Sequence, residues 1–93
     1  MAAHAPVDRI IPARLVSPAR AEVGTRFDLA VDVAHARIGM NALLRGDDGR
    51  PIAQAIVEDL SDGLARARVT HTYLAVGAIA AGARVELGAR RTW

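Results

Sequence analysis

Apolar and polar side chains alternate along several stretches of this chain, a pattern that predicts β-strands with one buried face. Residues 26–34 place apolar side chains at every second position, and residues 84–90 show the same alternation. Residues 10–16 alternate less regularly and contain Pro12, which has no N–H to donate to a neighbouring strand. We therefore predict two half-buried strands and a third strand at the edge of a sheet.

Two turn signals in the middle of the chain predict a pair of consecutive β-hairpins. The first is an Asp-Gly pair at positions 48–49, the dipeptide favoured by two-residue type I′ loops. This loop sets Asp47 opposite Arg50 and Leu44 opposite Ala53. A register shifted by one residue would bring two arginines face to face, which is unfavourable.

The second turn is predicted at Ser-Asp-Gly, positions 61–63. Closing it with Leu60 against Leu64 sets Glu58 opposite Arg66. The same register pairs Val57 with Ala67 and Ala55 with Val69.

Both hairpins place small apolar side chains on one face of the predicted sheet. That face holds Met40, Ala42, Leu44, Ala53, Ala55, Val57, Ala67 and Val69. The other face holds Gln54, Glu58, Arg66, Arg68 and Thr70. Because a slip of one residue in either hairpin would break this sorting, we predict a three-stranded antiparallel meander over residues 40–72.

The apolar face of the meander needs a cover, and the two half-buried strands have faces of matching kind. We therefore predict an all-β fold, a small antiparallel β-sandwich of six or seven strands. Residues 1–6 are predicted to form a flexible N-terminal arm, and residues 7–93 a single domain. The stretch 73–83 is open between a strand end with a loop and a short helical turn near 75–81.

Composition narrows the classes of function. The 93 residues carry twelve basic and ten acidic side chains, and every basic residue is arginine. The isoelectric point of about 10.4 reflects the scarcity of other titratable groups, not a basic surface, so a nucleic-acid partner is not expected. Arginine without lysine in an alanine-rich chain is typical of a GC-rich genome, bacterial or phage. The lack of cysteine excludes disulfides and thiolate chemistry.

The N-terminal region lacks the uninterrupted apolar segment of a signal peptide, because Pro6, Arg9, Pro12 and Arg14 break it. The most apolar stretch, residues 73–83, is too short to cross a bilayer. We expect a cytoplasmic protein without a membrane partner, with a virion as the other location.

Residues that could carry catalysis or bind metal are isolated in the sequence. The acidic turns at 47–48 and 58–62 lie at opposite ends of one predicted strand, about 30 Å apart, which argues against a shared calcium site. The histidines are His4, His35 and His71, and their spacing is not that of a metal-binding pair. The hairpin register points His71 inward, opposite Ala53. Neither serine lies in a Gly-x-Ser-x-Gly turn, the usual setting of a nucleophilic serine. From these observations together we expect no enzyme activity, no metal and no cofactor.

Outward-facing arginines are the most prominent polar feature. Arg66 and Arg68 share the outer face of one predicted strand, and Arg84 and Arg90 share that of another. Guanidinium forks suit carboxylates and phosphates. These residues form either a solvated face or a site for an acidic or phosphorylated partner. In the solvated face Glu58 would face Arg66, Asp47 would face Arg50, and Glu86 would lie next to Arg84 along the strand.

Several apolar residues have no obvious place in a small core: Ile38, Leu43, Leu74, Val76, Ile79 and Trp93. A core of alanine and valine buries little surface, so we predict a homo-oligomer that uses residues 73–83, an exposed strand edge or Trp93. The alternative is that these residues close the core of the monomer. The predicted interaction surface comprises Arg66, Arg68, Arg84, Arg90, Leu74, Val76, Ile79 and Trp93.

Four short motifs between residues 14 and 90 resemble bacterial immunoglobulin-like domains. They are Glu-Val-Gly-Thr-x-Phe-x-Leu-x-Val-x-Val at 22–33, Asp-Gly-Arg-Pro-Ile at 48–52, Asp-Gly-x-Ala-x-Ala-x-Val at 62–69, and Gly-x-Arg-Val-Glu-Leu at 82–87. The resemblance implies an immunoglobulin-like β-sandwich.

A second motif, Asp-Leu-Ser-Asp-Gly-Leu at 59–64, is similar to the Asp-x-Ser-x-x-Gly signature of PilZ domains. PilZ domains are small β-barrels that bind cyclic di-GMP. Here the glycine comes one residue early, and Arg9 and Arg14 are separated by four residues where the family has three.

The sequence as a whole predicts a non-enzymatic protein–protein interaction or assembly module, such as a small structural subunit of a phage particle or secretion apparatus. The alternative is a small ligand-binding β-barrel that recognises a phosphate-bearing ligand such as a cyclic dinucleotide.

Overall fold

A computed structural model describes residues 10–32, 36–74 and 77–88. In these ranges the chain forms eight strands and no helix. The strands are β1 (Ile11–Leu15), β2 (Ala19–Arg20), β3 (Arg26–Ala30), β4 (Asn41–Arg45), β5 (Pro51–Ser61), β6 (Leu64–Thr72), β7 (Ala78–Ile79) and β8 (Arg84–Gly88). The predicted N-terminal arm at 1–6 lies outside the described residues.

Six of the strands form one closed sheet. The order around the ring is β1-β3-β6-β5-β4-β8, every neighbouring pair is antiparallel, and β2 and β7 form a separate two-stranded sheet. The all-β class is confirmed, and the prediction of an immunoglobulin-like sandwich is wrong. β8 closes the ring by pairing with both β1 and β4, so the meander curls over its own apolar face instead of packing against a second sheet.

Small side chains explain why a ring of six strands can close. A barrel narrows as its strand number falls, and an eight-stranded barrel already has an interior just wide enough for side chains. Five alanines with no exposed surface occupy this core: Ala42, Ala53, Ala55, Ala65 and Ala67. Leucine and valine fill most of the remaining volume, and Phe27 is the one aromatic among the buried residues described. Alternation of apolar and polar residues cannot distinguish a barrel from a sandwich, because both folds bury one face of each strand.

The predicted meander at 40–72 is confirmed, since β4, β5 and β6 pair consecutively. The predicted core pairs are also confirmed: Ala42 with Ala55, Leu44 with Ala53, Ala55 with Val69, and Val57 with Ala67. The predicted turns, however, are wrong in detail at both ends of β5.

The first hairpin has a longer loop than predicted. Arg45 pairs with Pro51, so Asp47 and Arg50 lie in the loop and do not pair. A two-residue type I′ loop needs positive φ at both central residues. Here Gly49 has a φ of 83° while Asp48 is not among the residues with positive φ. The Asp48 carboxylate instead accepts a hydrogen bond from the Arg50 N–H at 3.0 Å, which stabilises the wider turn.

The second hairpin has a shorter loop than predicted. Asp62 and Gly63, with φ of 32° and 79°, form the two-residue loop, and Ser61 pairs with Leu64. Consequently Leu60 pairs with Ala65 and Asp59 with Arg66, in place of the predicted Leu60–Leu64 and Glu58–Arg66 pairs. A bulge between Val57 and Asp59 takes up the extra residue, Glu58, and restores the core register beyond it.

A second bulge changes the direction of His71. The register shifts between Gln54 and Ala55, so His71 pairs with Gln54, and Thr72 takes the predicted place opposite Ala53. The prediction that His71 faces inward is therefore wrong. His71 is exposed, and its ring lies edge-on to that of Tyr73 with the centroids 4.7 Å apart.

β1 is not an edge strand, because it pairs with both β3 and β8. The Leu15 N–H bonds to Ala83 on the β8 side, and the Val16 N–H bonds to Asp28 on the β3 side. Backbone groups alternate in direction along a strand, so Pro12 faces the β3 side. β3 pairs only with Arg14 and Leu15, so the missing N–H of Pro12 falls where β3 has already diverged.

Residues 77–81, the described part of the stretch proposed as a helical turn, contain no helix. Ala78 and Ile79 pair instead with β2, as the strand-and-loop alternative expects. Ala19 and Ile79 are buried and belong to the same hydrophobic cluster as the barrel core. The two-stranded sheet thus contributes its own apolar side chains to the core.

Candidate functional site

The described members of the predicted arginine set lie on two opposite sides of the barrel. In a ring of six strands, β6 and β8 are three positions apart in either direction. Arg66 and Arg68 on β6 therefore face one side of the barrel, and Arg84 on β8 faces the opposite side. Arg90 lies outside the described residues.

The arginines on the β6 side are neutralised by carboxylates. Arg66 Nε lies 3.2 Å from Asp28 Oδ1, and Arg68 Nε lies 2.8 Å from Glu58 Oε2. The other oxygen of Glu58 accepts a bond from Arg26 Nε at 2.9 Å. The β6 arginines are thus paired within the sheet, but Glu58 pairs with Arg68 and Arg26 and not with Arg66 as predicted. Arg50 lies 3.6 Å from Asp48 and not beside Asp47, and Glu86 pairs with Arg45.

These bonds shift the ionisation of the groups that make them. Hydrogen bonds from Arg68 and Arg26 lower the pKa of Glu58 below its ordinary value. The hydrogen bond to Asp28 raises the pKa of Arg66. Both pKa shifts favour the charged forms, so on the β6 side the positive charges of the arginines are paired with the negative charges of neighbouring carboxylates.

Glu58 gives the domain a pH-dependent contribution to stability. A carboxyl group whose pKa is lower in the folded state stabilises the fold above its unfolded pKa, and the contribution is lost as pH falls through the folded pKa. We expect Glu58→Gln to lower the melting temperature at pH 7, and we expect its difference from the wild type to shrink below about pH 4.5, the ordinary glutamate value. Thermal unfolding of both proteins from pH 7 to pH 3 measures this difference in melting temperature.

The matched control for that experiment is Glu22→Gln, at an exposed carboxylate 3.5 Å from Arg20. It should leave the melting temperature nearly unchanged at neutral pH. A difference between Glu58→Gln and the wild type that stays constant down to pH 3 would contradict the assignment.

The opposite side of the barrel carries three arginines at one height on adjacent strands. Arg14 on β1 pairs directly with Arg84 on β8. Leu44 on β4 pairs with Val85, so the next residue of β4, Arg45, lies on the other flank of Arg84. We call Arg14, Arg84 and Arg45 the arginine row. The prediction included only Arg84, because the closure of β8 onto β1 and β4 brings the others beside it.

The three members differ in how firmly they are held. Arg45 is held by two bonds, from Nε to Glu86 Oε1 at 3.1 Å and from Nη1 to the Gly49 carbonyl at 2.7 Å. Arg14 donates one bond from Nη1 to the Gly82 carbonyl at 3.1 Å. Arg84 is exposed and makes no ion pair or hydrogen bond with any residue in the described part of the chain. Like charges directly opposite one another across a sheet are destabilising, and no carboxylate separates Arg14 from Arg84.

The arginine row borders two open clefts. One of about 390 Å³ is lined by the row, by residues 46–49 of the first hairpin and by residues 82–83. The other, of about 430 Å³, lies between β1 and the end of β3 and shares Arg14 and Arg84. Asp47 and Asp48 lie at the rim of the first cleft, so its positive charge is concentrated at the row itself.

Several of the apolar residues that have no obvious place in the predicted core are buried within the monomer. Ile79 is buried in the core, Leu74 is half-buried against it, and Leu43 is only 1% exposed. Ile38 is 63% exposed. The remaining predicted residues, Val76 and Trp93, lie outside the described residues. The part of the set that is described thus favours closure of the monomer's own core, except at Ile38.

The residues of the PilZ-like motif do not gather into a site. The Asp59 carboxylate accepts a bond from the N–H of Leu60 at 2.9 Å, and Ser61 closes a hairpin loop. Arg14 on β1 lies three positions around the ring from Asp59 and Ser61 on β5, and it bonds to Gly82. Arg9 lies outside the described residues.

Within residues 10–32, 36–74 and 77–88, no three His, Cys, Asp or Glu side chains converge as metal ligands. None of the described segments is a helix of the length and apolarity that a membrane span requires. Comparison of the chain with known protein families, with curated proteins and with solved structures finds no match. A functional assignment must therefore rest on the geometry of the arginine row.

Proposed function

We propose that this domain is a non-enzymatic protein–protein interaction module that binds an anionic segment of a partner protein through the arginine row. The observation that carries the proposal is Arg84, an exposed arginine directly opposite Arg14 with no partner among the described residues. Leaving two guanidinium groups side by side costs stability. A bound anion would remove that cost.

The donors of the row support an anionic partner. A guanidinium group has five N–H donors in a fixed fork that matches carboxylate or phosphate oxygens. Arg84 uses none of its side-chain donors within the described chain, and Arg14 uses one. The surface of this module therefore has several adjacent guanidinium donors at one height that bind no other described residue.

The dimensions of the row suit a short segment of peptide. Three adjacent strands at about 4.8 Å spacing place the outer arginines about 10 Å apart. An extended peptide covers that distance in about three residues, at about 3.4 Å per residue. A short anionic segment can thus contact all three arginines at once.

The proposal is tested by binding of a fluorescein-labelled peptide with four consecutive glutamates, measured by fluorescence anisotropy at low and high salt. A hydrogen bond to a charged group contributes about 1.5–3 kcal/mol, so Arg84→Ala should weaken binding about tenfold or more. The matched control is Arg66→Ala, which removes the same charge from the opposite face and should change the affinity less than about twofold.

Equal losses of affinity in Arg84→Ala and Arg66→Ala would mean that binding depends only on the net charge of the protein, and the arginine row would not be the site. Absence of binding at low salt by the wild-type protein, to this peptide and to phosphorylated peptides alike, would also overturn the proposal.

A further inference from the structure

The geometry points to a phosphate monoester as the group that Arg14 and Arg84 recognise, carried by a phosphorylated side chain of the partner protein. This inference rests on the proposed function and names the chemistry of its central contact. The reasons lie in how the two arginines are placed and in what surrounds them.

The first reason is the amount of negative charge that one ligand group must carry to balance both Arg14 and Arg84. Arg14 and Arg84 are direct cross-strand partners, so their Cα atoms are about 4.5–5.5 Å apart and both side chains leave the same face. Their guanidinium groups can therefore converge on one ligand group. A single carboxylate carries one negative charge and balances only one of them. A phosphate monoester carries about −1.5 to −2 at neutral pH and balances both.

The second reason is the number of acceptors. The three free oxygens of a phosphate monoester can accept bidentate bonds from two forks at once, whereas a carboxylate has two oxygens. Arg45 lies beside Arg84, where Glu86 neutralises its charge, and its bonds to Glu86 and the Gly49 carbonyl fix its position. The row is thus a pair of available forks beside one anchored ion pair.

The third reason is the acidic rim. Asp47 and Asp48 line the same cleft, and Asp47 makes no bond or ion pair with another described residue. A run of carboxylates extending over the cleft would approach these aspartates and be repelled. A compact dianion seated between Arg14 and Arg84 keeps its charge away from the rim. The surroundings therefore favour a single doubly charged group over a string of singly charged ones.

The test uses two peptides of equal charge in the same glycine-serine sequence, one with a single phosphoserine and the other with two adjacent glutamates. Isothermal titration calorimetry with the full chain should give an affinity for the phosphoserine peptide about tenfold or more above that for the glutamate peptide. Arg84→Ala and Arg14→Ala should each abolish the preference. Arg84→Lys keeps the charge and loses the fork, and should lose most of the preference.

Thermal unfolding of each variant without ligand shows whether it is folded. Arg84→Ala should melt no lower than the wild type, because it removes a like-charge pair. If equal affinities for the two peptides were found, the phosphate inference would be overturned while the proposed function stood. If neither these peptides nor the four-glutamate peptide bound, both would be overturned.

Free O-phosphoserine and cyclic di-GMP, titrated into the same protein, distinguish a phosphoprotein from a small phosphorylated ligand. Tighter binding of the phosphoserine peptide than of either small ligand supports the inference. Equal or tighter binding of a free phosphate compound would overturn the assignment to a partner protein.

Discussion

Replacing Leu44 with alanine is expected to destabilise the domain by about 2–5 kcal/mol, the usual range for truncating a fully buried leucine. Leu44 has no exposed surface and lies on β4 between Ala53 on β5 and Val85 on β8. Its cross-strand neighbours are small, so they cannot refill the cavity. A domain of this size has a small net stability, and the variant should melt about 10 °C or more below the wild type.

The matched control is Leu64→Ala, which makes the same chemical change at a leucine that is 37% exposed. Leu64 begins β6 beside the two-residue loop, where more than a third of its surface is in contact with water. We expect a cost below about 1 kcal/mol there. Similar melting temperatures for the two variants would contradict a core centred on the inner face of β4.

Reversing the charge of Arg84 should have the largest effect on binding. A carboxylate at this position would repel an anionic ligand and would form an ion pair with Arg14, which occupies the row's first fork. We expect Arg84→Glu to weaken binding of the phosphoserine peptide by about 100-fold or more, since it removes charge-assisted bonds and adds repulsion. It should leave the melting temperature unchanged or raise it, because it replaces a like-charge pair with an opposite-charge pair.

Arg66→Glu is the control on the opposite face, and it should give the reverse result. Arg66 pairs with Asp28, so a carboxylate there would face another carboxylate and lower the melting temperature. Binding of the peptide should stay within about twofold of the wild type. If Arg84→Glu lost stability, or if Arg66→Glu lost binding to a similar extent, the division of the barrel into a structural face and a binding face would be wrong.

The sequence allowed the central strands and their inward faces to be predicted because both are local properties. Alternation in period two sorts the side chains, and small apolar residues across two neighbouring hairpins constrain the core register. The core pairs around Ala55 and Val57 follow from that sorting. The loops do not, because a bulge at Glu58 and a wider turn at Asp48 change the loop and leave the core pairs intact.

Closure of the sheet could not be predicted in the same way. Whether a buried face is covered by a second sheet or by its own curvature depends on pairings between distant segments. Here those pairings join β8 to β1, across most of the chain length, and to β4, across less than half of it. The narrow alanine-rich core permits this closure, but alanine-rich strands alone do not require it.

The arginine row was missed for the same reason. Arg14, Arg45 and Arg84 are separated by more than thirty residues in sequence, and only the closed ring places them at one height. The arginines at positions 66 and 68 stood out because they share one strand, and they are the ones held by Asp28 and Glu58. A search for outward arginines at equal height around a closed barrel would have found the row once the strand order was known.

The most direct test of the central claim is an NMR titration that follows the Nε–Hε signals of the arginine side chains. Increasing amounts of the phosphoserine peptide are added to the ¹⁵N-labelled full chain. We expect the signals of Arg14, Arg84 and Arg45 to shift together and to saturate at one peptide per chain, while those of Arg66 and Arg68 stay in place. Shifts confined to Arg66 and Arg68, or none at any of the five arginines despite measured binding, would contradict the central claim.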